Sequence, residues 1–459
     1  MSLKRAWQAA MVAGVVCSAG LAASPPAAAS TTVAWGTTTS APAGTLGDLF
    51  GVAASSSSDV LTVGGYIPGE PPTALLTRPY AEHWNGSGWT ATTVPLKSVY
   101  SAQAAQLNGV AEVAAGDGWA VGTVADPSSL ASQTLAYHWN GTAWQRVSTP
   151  NPAGPSQGNE LAAVAARATN DVWAAGGAGG YPEASLVLHW NGSTWAQVRV
   201  PSIGALDAVT VTSASVWVAS GNKVERFNGS AWTSLPALPG SVSIAGLAHT
   251  AAGLWAVGDT SFVCGEGGTC TSSYAALWNG SSWTTVPAGG GTELSGVVAA
   301  GSAVLAAGGT GVWQLSTTGA TQQVTPTQNP PQLNAIGADP AGNPWAVGSA
   351  YVQGTTAPAI INAPGIGQGG ILVDSGAANA TVTWTGPVTG TGTTAVDGTF
   401  ATGGLPDGSY TVITSISGCQ PGVTTATVTA GQVTPVTAKV ICPPLNGRLA
   451  PATRVRFGN

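Results

Sequence analysis

Apolar and polar positions alternate in short bursts along this chain, and the bursts return in a constant order. One round holds four apolar segments of strand length, separated by polar turns. The second segment is typified by Trp119-Ala120-Val121-Gly122, with counterparts beginning at Trp173, Trp217, Trp255 and Trp345 and degenerate copies around Leu61 and Leu305. The third and fourth flank an Asn-Gly pair, as in His83-Trp84-Asn85-Gly86-Ser87-Gly88-Trp89, His138-Trp139-Asn140-Gly141-Thr142-Ala143-Trp144 and His189-Trp190-Asn191-Gly192-Ser193-Thr194-Trp195. Asn228-Gly229 and Asn279-Gly280 continue the series. Asn-Gly predicts a type I′ hairpin, because both central residues of that turn need positive φ. Each round is therefore a four-stranded meander, recurring at about 35–55 residues, the length of a propeller blade.

One such sheet cannot bury both its faces, whereas sheets stacked radially can, with indole rings filling the wedges between them. First strands are expected near Leu49, Leu107, Leu161, Leu206, Leu247, Leu294 and Leu333, which predicts seven blades. The seventh has no Trp-bearing fourth strand after Ile360. The phrase from Trp35 to Pro42 matches Trp89 to Pro95, so the N-terminal strand is expected to complete blade seven and close the ring. The expected fold is all-β: a seven-bladed β-propeller over 31–365 and a smaller β-sandwich over 366–445, followed by a tail, 446–459.

The repeat resembles those of bacterial exported propellers loosely grouped with kelch and galactose-oxidase-like proteins. The kelch-type Gly doublets are sporadic (Gly64-Gly65, Gly176-Gly177, Gly308-Gly309) and are read as turn residues at strand ends. The copper-binding Tyr, His and Cys set of the oxidases has no counterpart, so the resemblance implies architecture without that activity. In the C-terminal module, Asp397-Gly398-Thr399-Phe400 and Leu405-Pro406-Asp407-Gly408-Ser409-Tyr410 resemble the carboxypeptidase-regulatory-like, transthyretin-like sandwich. That resemblance implies an accessory, stalk or carbohydrate-binding module.

Composition narrows the function classes. Only 7% of the 459 residues are charged, against roughly 25% in an ordinary soluble protein. Residues 1–29 read as a secretory signal, with Lys4 and Arg5 before the apolar stretch Ala9 to Ala23 and small residues at Ala27-Ala28-Ala29. Removal of that segment takes the formal charge from −6 to −8. With no basic tract, nucleic acid and anionic membranes are not expected partners. Cys264, Cys270, Cys419 and Cys442 remain, an even number in an exported chain. Of the three possible connectivities, Cys264–Cys270 and Cys419–Cys442 pair neighbours. The expected protein is secreted, extracellular and monomeric.

Chemistry is sparse. His83, His138 and His189 share one repeat position, and Asp59, Asp117 and Asp171 share another, so both sets are read as structural; the Asp side chains are expected to bond the local backbone. No catalytic set, metal set or cofactor loop is expected. Alternating strand direction puts the second-to-third loops and the between-blade connections on one face, with the longer and more varied connections, where binding usually lies. The candidate ligand-binding residues there are Tyr66, Tyr100, Tyr181, Phe262, Tyr351, Asp126, Glu183 and Asp259, with Glu70, Arg78 and Glu266 nearby. Exposed Tyr beside scattered acids suits extracellular glycan or protein. The alternatives are a glycan-cleaving hydrolase or lyase using Glu82, Glu112 or Glu160, and a purely structural surface component.

Overall fold

The structure, a computed structural model, describes residues 36–38, 46–68, 76–86, 88–100, 103–126, 131–264, 268–289, 293–301, 303–322, 330–352, 355–363, 369–387, 389–394, 398–405, 408–428 and 433–442. The proposed signal segment, Trp35, Glu70 and Glu266 lie outside them. The chain divides into two compact units, Met1–Gly367 and Gln368–Asn459. Among the described residues there is no α-helix, only a 3-10 turn at Ser98–Tyr100, and no helix is long and apolar enough to cross a membrane.

Among the described residues, the first unit contains seven four-stranded antiparallel sheets. Sheet one runs Leu46–Ser56, Asp59–Ile67, Arg78–Trp84 and Trp89–Thr92, and sheet two Ala104–Ala114, Asp117–Ala125, Ser132–Trp139 and Trp144–Val147. Sheet three runs Gly158–Ala168, Asp171–Gly179, Ala184–Trp190 and Trp195–Val198, and sheet four Ala208–Thr212, Ser215–Ser220, Lys223–Phe227 and Trp232–Ser234. Sheet five comprises Val242–Thr250, Gly253–Cys264, Gly268–Trp278 and Trp283–Val286; sheet six comprises Gly296–Ala300, Ala303–Gly308, Gly311–Ser316 and Gly319–Gln322. Sheet seven takes Gln332–Ala338, Pro344–Val352 and Thr355–Asn362 from the end of the unit and Gly36–Thr38 from its beginning. There Gly36, Thr37 and Thr38 face Asn362, Ile361 and Ile360.

Each sheet buries its faces against its neighbours, which makes this unit a β-propeller. The second-strand Trp119 of sheet two meets Trp190 and Trp195 of sheet three at 4.8 and 5.2 Å. Trp173 of sheet three meets Phe227 of sheet four at 5.7 Å, and Trp255 and Trp313 share a core between sheets five and six. Trp345 of sheet seven packs on Trp84 and Trp89 of sheet one at 5.9 and 5.7 Å. At the same junction Asn334 Nδ2 donates to Asp48 Oδ1 (2.7 Å) and to the Leu49 carbonyl (2.9 Å). Asn108 makes the second of these bonds between sheets two and three, to the Leu161 carbonyl (2.8 Å).

Two turn readings are corrected. The Asn-Gly loops are not type I′ hairpins: they contain four residues between paired Trp84 and Trp89, or Trp139 and Trp144. Only the Gly has positive φ, 89° at Gly86 and Gly141. The Asn side chain replaces the second strained residue, since Asn140 Oδ1 accepts from the amides of Thr142 (3.0 Å) and Ala143 (2.9 Å) and from the Thr142 hydroxyl (2.9 Å). Two of the three Gly doublets do not serve as turns either, whereas Gly309 (φ 52°) does lie in the turn at 309–310. Gly64 and Gly176 face Leu49 and Leu161 beside a bulge in the first strand, and a Cβ at either would lie 2.0 Å from the carbonyl oxygen of Asp48 or Glu160. In sheet five Ile244, not Leu247, takes the place of these leucines, opposite Gly258.

The second unit has a three-stranded sheet, in the order Thr399–Leu405, Gly369–Asp374 and Val433–Thr437, and a four-stranded one, in the order Thr389–Thr393, Thr381–Thr385, Gly408–Ser415 and Gly422–Val428. Ile371, Val382, Tyr410 and Val412 share its core. Cys419–Cys442 and, in the first unit, Cys264–Cys270 are disulfides.

Replacing Asn334 with Ala removes two donors from the junction of sheets seven and one. It is expected to lower unfolding stability by about 1–3 kcal/mol, read as a shift in the urea midpoint. An unchanged midpoint would show that this junction does not depend on the amide.

Candidate functional site

The two faces of the propeller unit differ in chemistry. On the face of the first-to-second and third-to-fourth turns, polar groups are tied to one another. His83 Nε2 lies 2.5 Å from Asp59 Oδ1, His138 Nε2 2.7 Å from Asp117 Oδ1, and His189 Nε2 3.0 Å from Asp171 Oδ1. The Asp side chains thus reach the His of the third strand, where the local backbone is the expected partner. In sheet four Arg226 occupies the His position and Ser215 the Asp position; Arg226 Nε donates to Ser215 Oγ (3.0 Å) and its guanidinium lies 4.9 Å from the Trp217 ring.

A groove of about 790 Å³ between sheets three and four is lined by Arg167, Asp171, Trp173, His189 and Phe227. Its carboxylate is already saturated. Asp171 Oδ2 accepts from Arg167 Nε (2.8 Å), and Oδ1 accepts from Trp173 Nε1 (2.7 Å) besides facing His189. Burial would raise this carboxyl, but the bonds from Arg167, Trp173 and His189 outweigh it and hold the group below its ordinary value. A carboxylate so occupied positions Arg167 and Trp173; it has no lone pair aimed at a ligand.

Of the carboxylates singled out in the sequence, Glu112 and Glu160 are separated, whereas Glu112 lies beside Asp59. Glu82 is fully buried in sheet one and accepts the Tyr80 hydroxyl at 2.5 Å. Glu112 stands opposite Gly118 near the end of its first strand, while Glu160 stands opposite Gly177 near the start of the adjacent one. At about 3.3 Å per residue that places them roughly 15–20 Å apart, whereas a glycosidase pair needs about 5–10 Å. Among the described residues no group of three or more His, Cys, Asp or Glu could hold a metal ion.

Glu112 has a different role. Its Oε2 accepts the Ser55 amide of sheet one at 3.0 Å. Burial, then the charges of Asp59 and Asp117, push its carboxyl up to about 9. It is neutral at pH 7, so an acid sits at the junction of sheets one and two without adding charge beside Asp59. Burial likewise raises Asp48 to about 6, against hydrogen bonds from Ser349, Asn334 and the Leu49 backbone.

On the opposite face the candidate residues divide. Tyr181, at 85% exposure, Tyr351 at 69% and Phe262 at 49% stand in solvent, at second-to-third connections of sheets three, seven and five. Val263, at 79%, joins them; its aliphatic side chain gave no cue in the sequence, where it continues an apolar strand. Tyr66 is half-buried against Tyr80 at 5.6 Å. Asp126, Glu183 and Asp259 are half-buried, and Glu183 Oε2 would lie 2.8 Å from a Cβ on Gly177. Tyr100 is a correction: it is buried at 7% between sheets one and two. Arg146 covers its ring at 4.7 Å and donates to its hydroxyl, which donates in turn to Gln133 Oε1 at 3.0 Å. It is packing, not a ligand contact. The face is also uneven, for the second-to-third connections of sheets four and six are tight turns at 221–222 and 309–310.

The Glu112 shift sets a pH dependence. Between the unfolded value near 4.5 and the folded value of about 9, the native carboxyl keeps a proton that the unfolded chain releases. Stability therefore falls as pH rises through that window. Glu112→Gln keeps an acceptor for the Ser55 amide without an ionising group. Its urea midpoint is expected to fall less than wild type between pH 5 and pH 9, the difference corresponding to a few kcal/mol; parallel curves would remove Glu112 from this role.

No protein-family profile matches the sequence, and no curated protein matches it. Among solved structures, it is similar to YCF48 bound to D1 peptide, at 14% identity and TM-score 0.46 over 74% of this chain and 99% of that one. A catalytically inactive virginiamycin B lyase from Staphylococcus aureus with quinupristin is similar at 11% identity and TM-score 0.49, over 72% and 99%. PorZ, a surface component of the type-IX secretion system of Porphyromonas gingivalis, is similar at 13% and 0.45, over 80% and 58%.

Proposed function

We propose that this chain is an exported, non-catalytic binding protein. In this reading a loosely kelch-like, seven-bladed propeller, closed by Gly36–Thr38, engages an extracellular protein or carbohydrate through its second-to-third-strand face. The Gln368–Asn459 unit serves as a carboxypeptidase-regulatory-like β-sandwich that spaces the propeller or adds a second contact. The pairing of Gly36–Thr38 with Thr355–Asn362 supports the closure, and two disulfides fit export.

One observation carries the binding assignment. Among the described residues of the first unit, the exposed large hydrophobic side chains are Tyr181, Phe262, Val263 and Tyr351, and all four belong to second-to-third connections or the strand ends that lead into them. Singly exposed apolar residues are ordinary. Their restriction to one face is not, since the opposite face engages its His, Asp and Arg groups internally. Aromatic side chains held on a rigid scaffold suit partner recognition, because little conformational entropy is lost when they are covered.

The test is a glycan array and a cell-wall pull-down with the mature protein, repeated with Tyr181→Ala/Tyr351→Ala. The double variant is expected to weaken any binding found by about tenfold or more, in the range of aromatic contact residues, with an unchanged melting profile. Undiminished binding would move the site off this face.

A further inference from the structure

The hairpin of sheet five outruns its own blade. Its second and third strands pair continuously from Leu254 opposite Trp278 to Cys264 opposite Gly268. The first strand accompanies them only as far as Val242 opposite Thr260, with one further bond from the Ser261 amide to the Ser241 carbonyl at 3.0 Å. The fourth strand covers only Ala275 to Trp278. Ser261–Cys264 and Gly268–Thr271 therefore form a two-stranded ribbon beyond the sheet, clamped by Cys264–Cys270.

The register shows which backbone groups the ribbon leaves open. Ser261 directs its amide away from the third strand, so Phe262 and Cys270, the next pair, exchange their bonds with each other. By the same alternation Thr269 and Thr271 turn both N–H and C=O to the outer edge. Among the described residues those groups meet no backbone partner. Other blades cover the matching edge with the connection to the next sheet. In sheet two the Ser132 amide donates to the Gln157 carbonyl (3.2 Å) and the Thr134 amide to Asn151 Oδ1 (2.8 Å). In sheet five the described part of that connection reaches Ser273, whose hydroxyl donates to the Gly289 carbonyl.

We infer that this ribbon edge takes an extended polypeptide segment as an added β-strand, pairing with the outward groups of Thr269 and Thr271. The inference rests on the binding-face reading and names its partner class. The strand is a polypeptide because four backbone groups alternate at strand spacing, a pattern another backbone complements. It is an uncharged or mixed segment with apolar side chains at alternate positions. The described ribbon carries no Lys, no Pro and no charge beyond Asp259, the usual protections of an edge. Phe262 and the disulfide lie on one side of the ribbon and Val263 on the other, so each side of an added strand would meet apolar surface.

The test uses the full mature chain and peptides selected on it from a random twelve-residue display library. Selected peptides are expected to slow amide exchange at Thr269 and Thr271 by tenfold or more. Thr271→Pro deletes an outward N–H that no internal pair uses, and an edge strand tolerates Pro there; it should weaken binding at least tenfold, while Thr271→Val stays within twofold. If Thr271→Pro perturbs folding, copies of the peptide N-methylated at alternate residues decide, since one of the two registers must lose binding. Binding insensitive to both changes, or no selectable peptide, would overturn the inference. So would loss of a Thr271→Pro-sensitive dimer in sedimentation, which would assign the edge to a second copy. Peptides that fail only on Tyr181→Ala/Tyr351→Ala would sink the added strand and leave the face reading standing. Peptides that bind the edge while that double variant binds everything undiminished would do the reverse.

Discussion

The whole first unit depends on the burial of a second-strand side chain against the next sheet. A four-stranded meander has two apolar faces and cannot shield either by itself. Each junction solves this by driving a large side chain of one sheet into the outer strands of the next: Leu61 against Trp139 and Trp144, Trp119 against Trp195, Trp173 against Phe227, and Trp345 against Trp84 and Trp89. A buried indole contributes 150–250 Å² of contact, so removing one is on the scale of about 3–5 kcal/mol. The last of these contacts joins the two ends of the unit. It has the same form as the others, which is why a strand as short as Gly36–Thr38 is enough to fill the outer position of sheet seven. Most of the junction's stabilisation comes from side chains already in place.

Charge is then confined to what the junctions permit. Ionisable groups near the junctions include matched ones, as in the His–Asp pairs, and a neutralised one, Glu112, while the buried indole N–H groups of Trp119, Trp195 and Trp345 have no hydrogen-bond partner among the described residues. Sheet four shows that matching is the constraint rather than residue identity: when the His position becomes Arg226, the Asp position becomes Ser215, and the bond survives without an ion pair. The same economy explains the low proportion of charge in the sequence. A surface made largely of packed sheets and short turns has few places for Lys or Glu.

Much of this was legible because the repeat multiplies each signal. Five Asn-Gly pairs and five second-strand Trp pointed to the strand order and the turn positions, and the match of the N-terminal phrase to Trp89–Pro95 raised the expectation of a strand from the start of the chain beside Ile360. The turn type was misread because a dipeptide preference takes no account of the next two residues. Ser or Thr after the Gly supplies a hydroxyl to the Asn side chain, and that bond lengthens the loop to four residues. Gly64-Gly65 and Gly176-Gly177 were misread for a related reason: a bulge on the first strand is invisible in the strand that must make room for it. Tyr100 could not be told from an exposed loop Tyr, since Arg146, which covers it, lies far away in sequence on the next sheet.

The division between the faces follows from how the strands end. At the first-to-second and third-to-fourth turns, four strands of each sheet finish together, and their polar residues find partners in the same sheet or, as Glu112 and Arg167 do, in the adjacent one. At the other ends the second and third strands are free to continue past the first and fourth. In sheets four and six they stop at once, in a tight turn. In sheet five they continue to Cys264 and Gly268, beyond the reach of the first and fourth strands. Such a ribbon has no core of its own to hold it straight, so among the described residues its internal restraints are the ladder between its two strands and the Cys264–Cys270 bridge. A disulfide at this position does nothing for the packing between blades. It limits the conformations of a segment that extends past the first and fourth strands, and a rigid edge loses less entropy on pairing than a frayed one.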